Sequence, residues 1–231
     1  MKPEFSKFEE IIGITFKNKA LLKQAFTHRS YLNEHRTTEL THNERLEFLG
    51  DAVLELIVTE YLYGKYPDRT EGVLTSYRSA LVKAETLSEA ASKIGMNDYL
   101  LLSKGEAKDL GRARQIILAN TIEALIGAIF LDQGYDSAKY FISRNIFFLI
   151  DSIVEQQSWM DAKSKFQEKA QDEEGVTPSY KTVKEEGPDH DKKFTVGVYL
   201  GKDKIAEGED KSKQEAEQRA ASEALKVKGW D

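Results

Sequence analysis

The chain has 231 residues, 40% apolar and 31% charged, with a formal net charge of −6 and no cysteine. Such a length allows one large domain or two smaller ones, and the composition is that of an ordinary globular protein. The missing cysteines exclude disulfides, thiolate zinc sites and a cysteine nucleophile, while the acidic balance weighs against a broadly basic surface for nucleic acid.

The opening MKPEFSKFEEIIGITF has charges in every short apolar run, unlike a secretory signal. No run of about 18 uncharged apolar residues follows, so no membrane partner is expected. Apolar periodicity predicts helices over 4–12, 18–33, 43–65, 70–94, 113–131 and 135–155. Asn18 and Asp136 are the expected N-caps, and Gly64, 95–98 and 133–136 the expected breaks. From Asp161 the character changes to helix (161–174), three strand candidates (SYKTVKE, KFTVGVYL, KIAEGE) and a last helix (212–227). The predicted fold class is multidomain: an all-α domain over 1–156, then a small α+β domain of order α-β-β-β-α over 161–231, with EQQSWMD between them.

The stretch NERLEFLGDAVLELIVTEYL (43–62) carries Glu44, Glu47, Asp51 and Glu55 within a sector of about 80° on a helical wheel. A charge row is ordinarily a solvated face. Here Leu46, Phe48, Leu49, Val53, Leu54, Leu56, Ile57 and Val58 fill most other directions, and Arg45 is the one cation before Lys65. Carboxylates near a core without cationic partners repel each other and cost desolvation, and a bound cation relieves both. A second helix, QIILANTIEALIGAIFLD (115–132), isolates Glu123 among apolar residues, with Asn120 one turn earlier. Facing helices that each project a pair of oxygen ligands can hold a metal. A set without His or Cys favours Mg²⁺ or Mn²⁺ over zinc, and such an ion suits phosphoryl chemistry.

NERLEFLGDAVLE (43–55) resembles the signature of bacterial ribonuclease III, and AFTHRSY (25–31), EGVLTSYRSALV (71–82) and ILANTIEALIGAIFLD (117–132) agree with it. The C-terminal part resembles a double-stranded-RNA-binding domain. The resemblance implies a homodimeric nuclease that hydrolyses both strands of double-stranded RNA with Mg²⁺. Its products would carry 5′-phosphate and 3′-hydroxyl ends with short 3′ overhangs, and its tasks would be ribosomal-RNA precursor and messenger processing in the cytoplasm. It needs no small-molecule cofactor.

Carried over by position, Glu47, Asp51, Asn120 and Glu123 are the metal set, with Asp51 and Glu123 catalytic. Glu44 and Glu71 are accessory acids, and Phe48 is either an aromatic plug into a partner subunit or an ordinary core residue. The family has Asp where this chain has Asn120, which removes one negative charge. His28 is expected to be structural or duplex-facing, and Arg112 and Arg114 either meet phosphates or are solvated. Gly105 and Gly111 punctuate a loop.

The segment 159–231 has 14 Lys and Arg against 17 Asp and Glu, so duplex binding must rest on local placement. Ser212 can cap the last helix in a capping box with Glu215. That puts Lys211 and Lys213 at a helix N-terminus, which already favours phosphate. Gln167 and Glu168 on the first helix of the domain, and Pro188 and His190 in the first hairpin loop, complete an RNA-binding set that reads about 16 base pairs by shape. Two other functions compete. Asn120 favours a duplex-binding protein with weak or no cleavage. A helical hydrolase of small nucleotides would need no duplex-reading module.

Overall fold

The structure, a computed structural model, describes residues 3–35, 40–155, 159–188 and 192–230. The chain divides into two units, 1–159 and 160–231. Helices of the first unit are α1 (Phe5–Ile12), α2 (Lys19–Ala25), α3 (Arg29–Glu34), α4 (Glu44–Lys65), α5 (Glu71–Val82), α6 (Ala84–Lys93), α7 (Arg112–Gln133), α8 (Tyr135–Asn145) and α9 (Leu149–Glu155). Among the described residues this unit has no strand beyond a single Thr27–Leu101 bridge.

Helix α7 is the hydrophobic centre. Ile117, Leu118, Ile122, Leu125, Ile126 and Ile129 are all buried, on every side of the helix. By length and composition alone α7 could cross a membrane, but most of it is buried inside the protein, as a helix apolar all round can be in a core. Helix α4 lies against it through Leu46, Gly50, Val53, Leu54, Ile57 and Leu62, a one-sided apolar stripe. The start of the chain is fastened to the far end of α7. The Asp132 carboxylate accepts from the backbone N–H groups of Lys17 and Asn18, both at 2.8 Å. The buried Glu9 accepts from Phe16 N–H at 2.7 Å and pairs with Lys19.

Three expected helices are each divided. The span 18–33 breaks at Phe26–His28, because Phe26 O accepts from Leu101 N–H and His28 N–H donates to Leu101 O. The span 70–94 breaks at Lys83, whose backbone is extended at φ −66° and ψ 153°. The span 135–155 breaks between Asn145 and Leu149. Asn18 caps α2 by accepting from Ala20 N–H, whereas Gly134 occupies the cap position of α8 and Asp136 lies inside its first turn. Gly64 lies within α4 and breaks nothing.

The second unit runs α10 (Ala162–Glu174), β1 (Pro178–Glu186), β2 (Lys193–Leu200), β3 (Asp203–Asp210) and α11 (Lys213–Lys228). Its strands form an antiparallel sheet in the order β1-β2-β3. Val198 and Leu200 pack under Phe166 and Ala170 of α10 and Ala220, Ala221, Ala224 and Leu225 of α11. The small residues let α11 lie directly on the sheet: a Cβ at Gly208 would stand 2.2 Å from Ala220 N. Lys163–Glu217 at one end and Lys228–Glu174 at the other show α10 and α11 running side by side in the same direction.

Candidate metal centre and nucleic-acid interface

Two glycines bring the acid-bearing turns together. A Cβ on Gly50 of α4 would fall 1.8 Å from Glu123 O, and one on Gly127 of α7 would fall 2.3 Å from Leu46 O. The two backbones therefore touch where α4 presents Glu47 and Asp51 and α7 presents Asn120 and Glu123. Burial pushes the Glu123 carboxyl up to about 8, with the Asp51 and Glu47 carboxylates adding to the shift. Burial and the neighbouring Glu44 raise Glu47 as well, while a hydrogen bond from the Asn120 side chain opposes the rise. An amide at position 120 thus donates to Glu47 where a carboxylate would repel it.

These side chains fit a hard divalent cation in kind: oxygen donors, partly desolvated, with excess negative charge. As they stand, no three His, Asp or Glu side chains among the described residues converge closely enough to enclose one ion. Mg²⁺ ordinarily keeps several waters and takes only one or two carboxylates directly, so full convergence is not required of the protein.

Of the other predicted acids, Glu44 borders this group and Glu71 lies apart from it. Glu44, one turn earlier on α4, stands 3.7 Å from both Arg29 Nη1 and His42 Nδ1. Glu71 starts α5, accepts from Thr75, and lines a surface cavity of about 400 Å³ with Thr59, Tyr63, Arg69 and Arg78. Thr59 is two turns beyond Asp51, about 12 Å along the helix, so Glu71 does not join Glu47, Asp51 and Glu123 within one chain.

Phe48 is 81% exposed, and Leu56 and Tyr63 on the same side of α4 are 59% and 77% exposed. Of the apolar residues around the acid row, Phe48 and Leu56 therefore lie outside the core of this chain. Phe48 and Leu131 border an open groove with Leu21, Gln24, His42 and Leu49.

His28 is the N-cap of α3. Its Nδ1 accepts from Ser30 N–H and lies 2.8 Å from Ser30 Oγ, which in turn accepts from Ser103 N–H. Burial is the first cause that holds His28 below the usual imidazole value. Arg114 does not present its charge to a phosphate. It is buried, and its guanidinium donates to Asp109 O, Glu106 O and Asn97 Oδ1, tying the loop before α7 to the bundle. Arg112 remains exposed.

In the second unit Ser212 caps α11 by accepting from Glu215 N–H at 3.1 Å, so Lys213 is the first helical residue. Gln167 and Glu168 are exposed on α10, and Pro188 is exposed in the β1–β2 loop. His190 lies outside the described residues. Asp161 caps α10, and Gln218 of α11 donates to it, which fixes where α10 starts against α11.

Sequence reading missed three contributors. Gly50 and Gly127 are recognisable as small residues inside long apolar helices, a sign of close backbone approach. Glu185 contacts Lys213, but nothing in its local sequence marks the pairing.

The ribonuclease-III-like family profile matches residues 18–150, and the double-stranded RNA binding motif profile matches residues 162–228. The chain is 47% identical to Ribonuclease 3 of Enterococcus faecalis, over 96% of each chain. It is 45% identical to Ribonuclease 3 of Borreliella burgdorferi, over 98% of this chain and 92% of that one. The nuclease domain of ribonuclease III from Campylobacter jejuni, in a structure concerned with flexibility in a region involved in dimer formation, superposes with a TM-score of 0.57 at 39% identity. That match covers 62% of this chain and 96% of the other. With a helical nuclease unit followed by a duplex-binding unit, this chain belongs to the ribonuclease III family and is an endoribonuclease.

Proposed function

We propose that this protein hydrolyses both strands of double-stranded RNA with Mg²⁺, or Mn²⁺ in its place, leaving 5′-phosphate and 3′-hydroxyl ends with short 3′ overhangs. Its tasks are processing of ribosomal-RNA precursors and messenger RNA in the cytoplasm, and it works as a homodimer. The observation that carries this reading is the pair of half-buried acids Glu47 and Glu123, each raised by burial and by the Asp51 carboxylate beside them, on two helices in glycine contact.

In this reading Glu47, Asp51 and Glu123 hold the cation, Asn120 assists, and Asp51 and Glu123 are the catalytic pair. When bound, the cation supplies charge neutralisation at the scissile phosphate and Lewis-acid activation of the attacking water. The protein's part is positional: the α4–α7 contact fixes the spacing of the carboxylates, and Asn120 steadies Glu47. Glu44 and Glu71 serve at the margins. Gln167, Glu168, Pro188, His190, Lys211 and Lys213 grip the duplex, and the exposed Phe48 enters a groove on the partner subunit.

The test is cleavage of a long, uniform RNA duplex with Mg²⁺ or Mn²⁺. The expected result is cutting by the unaltered chain and at least a hundredfold loss in Glu123→Gln, the range in which removal of a charge-stabilising group falls. Asn120 favours a second reading, that of a protein that holds duplex RNA without cutting it. Binding without cleavage by the unaltered chain, with cleavage restored in Asn120→Asp, would establish that reading instead.

A further inference from the structure

Glu185 lies near the end of β1, beside the β1–β2 loop and opposite Phe194 in the register. Its carboxylate stands between two lysines from separate segments. One oxygen is 2.7 Å from Lys213 Nζ at the start of α11, and the other is 3.3 Å from Lys192 Nζ just before β2. Both ammonium groups also lie over the Phe194 ring, 5.3 and 5.8 Å from its centroid. Ring and carboxylate together gather two positive charges beside a helix N-terminus. A phosphate oxygen in the place of the carboxylate would meet the same two ammonium groups. Its neighbour Glu186 alternates to the opposite side of the strand and pairs with Lys184 at 2.7 Å.

We propose that Glu185 is an internal competitor for RNA phosphate: it occupies Lys213 and Lys192 in the free protein and must release or share them when a duplex binds. This rests on the reading that the start of α11 meets RNA. Glu185 thereby holds affinity below what two unpaired lysines would give. The duplex exchanges one ion pair for another at this point, so the gain per lysine is small. Without the carboxylate, both lysines face the phosphate backbone with their full charge.

The test is binding of a uniform RNA duplex to the full chain in the absence of divalent metal, so that the duplex is held and not cut, across a salt series. An exposed ion pair has modest strength, so Glu185→Gln is expected to bind about two- to fivefold more tightly. The slope of log affinity against log salt should steepen by about one. Glu186→Gln makes the same change in net charge and should leave affinity within error. In a Lys192→Ala, Lys213→Ala background, Glu185→Gln should give no gain. If Lys213→Ala weakens binding while Glu185→Gln leaves it unchanged or weakens it, Glu185 merely positions the lysines and the proposal is overturned. It is equally overturned if Glu186→Gln gives the same gain. If Lys213→Ala has no effect, the failure lies in the reading of α11 as an RNA-binding face.

Discussion

Glu123 holds the least favourable position among the acids. Its carboxyl is half-buried on an apolar helix and is repelled by Asp51 and Glu47. Replacement by Gln removes that charge, so the metal-free protein should melt at least about 2 °C higher at pH 8, a shift that under 1 kcal/mol produces in a protein this size. Mg²⁺ should raise the melting temperature of the unaltered chain and fail to do so in Glu123→Gln, which differential scanning calorimetry can record without reference to activity. Asn120→Asp should act in the opposite sense. It exchanges a donor to Glu47 for a repelling carboxylate, lowering metal-free stability while tightening Mg²⁺ binding several-fold, as calorimetric titration would show. Glu123 was legible in the sequence because a lone acid in an apolar helix has few structural explanations. Arg114 was not: a cation beside a glycine-bearing loop resembles a phosphate contact, and only the loop carbonyls around it show that its charge is used internally.

Helices α4 and α7 are held at a separation that excludes even one methyl group between them. Gly127→Ala would place a Cβ 2.3 Å from Leu46 O, a backbone atom that cannot swing aside. We expect a loss of about 3 kcal/mol or more in urea unfolding, at the upper end for overpacking, with cleavage reduced further because the acid-bearing turns are pushed apart. Ser212→Ala, by comparison, removes one cap hydrogen bond and should cost about 1 kcal/mol. The long helices and the three strands were legible because their apolar periods run unbroken. The divisions at Phe26–His28 and Lys83 were not, since neither carries glycine or proline, and the first depends on hydrogen bonds to Leu101, more than seventy residues away.

For the whole molecule, two surfaces remain to be occupied. Phe48, Leu56 and Tyr63 leave a hydrophobic strip on α4. In the proposed homodimer, Phe48→Glu should shift sedimentation at micromolar concentration from dimer to monomer. In sequence Phe48 is indistinguishable from a core residue, because helical periodicity reports that a position is apolar and not what covers it. The α11 face carries the second surface. Removing 160–231 should leave cutting at low salt and reduce it at least tenfold at physiological salt, since the phosphate contacts proposed for the second unit would be salt-sensitive.

The contact between Gly50 and Glu123 has a consequence in time as well as in space. Its two members are separated by more than seventy positions in the chain, and the intervening length must be synthesised before they can meet. A nascent chain emerging from the ribosome therefore carries Glu47 and Asp51 on α4 well before α7 exists to complete the set. The newborn protein passes ribosomal RNA, the kind of substrate proposed for it, with the two halves of its proposed cutting centre still unassembled.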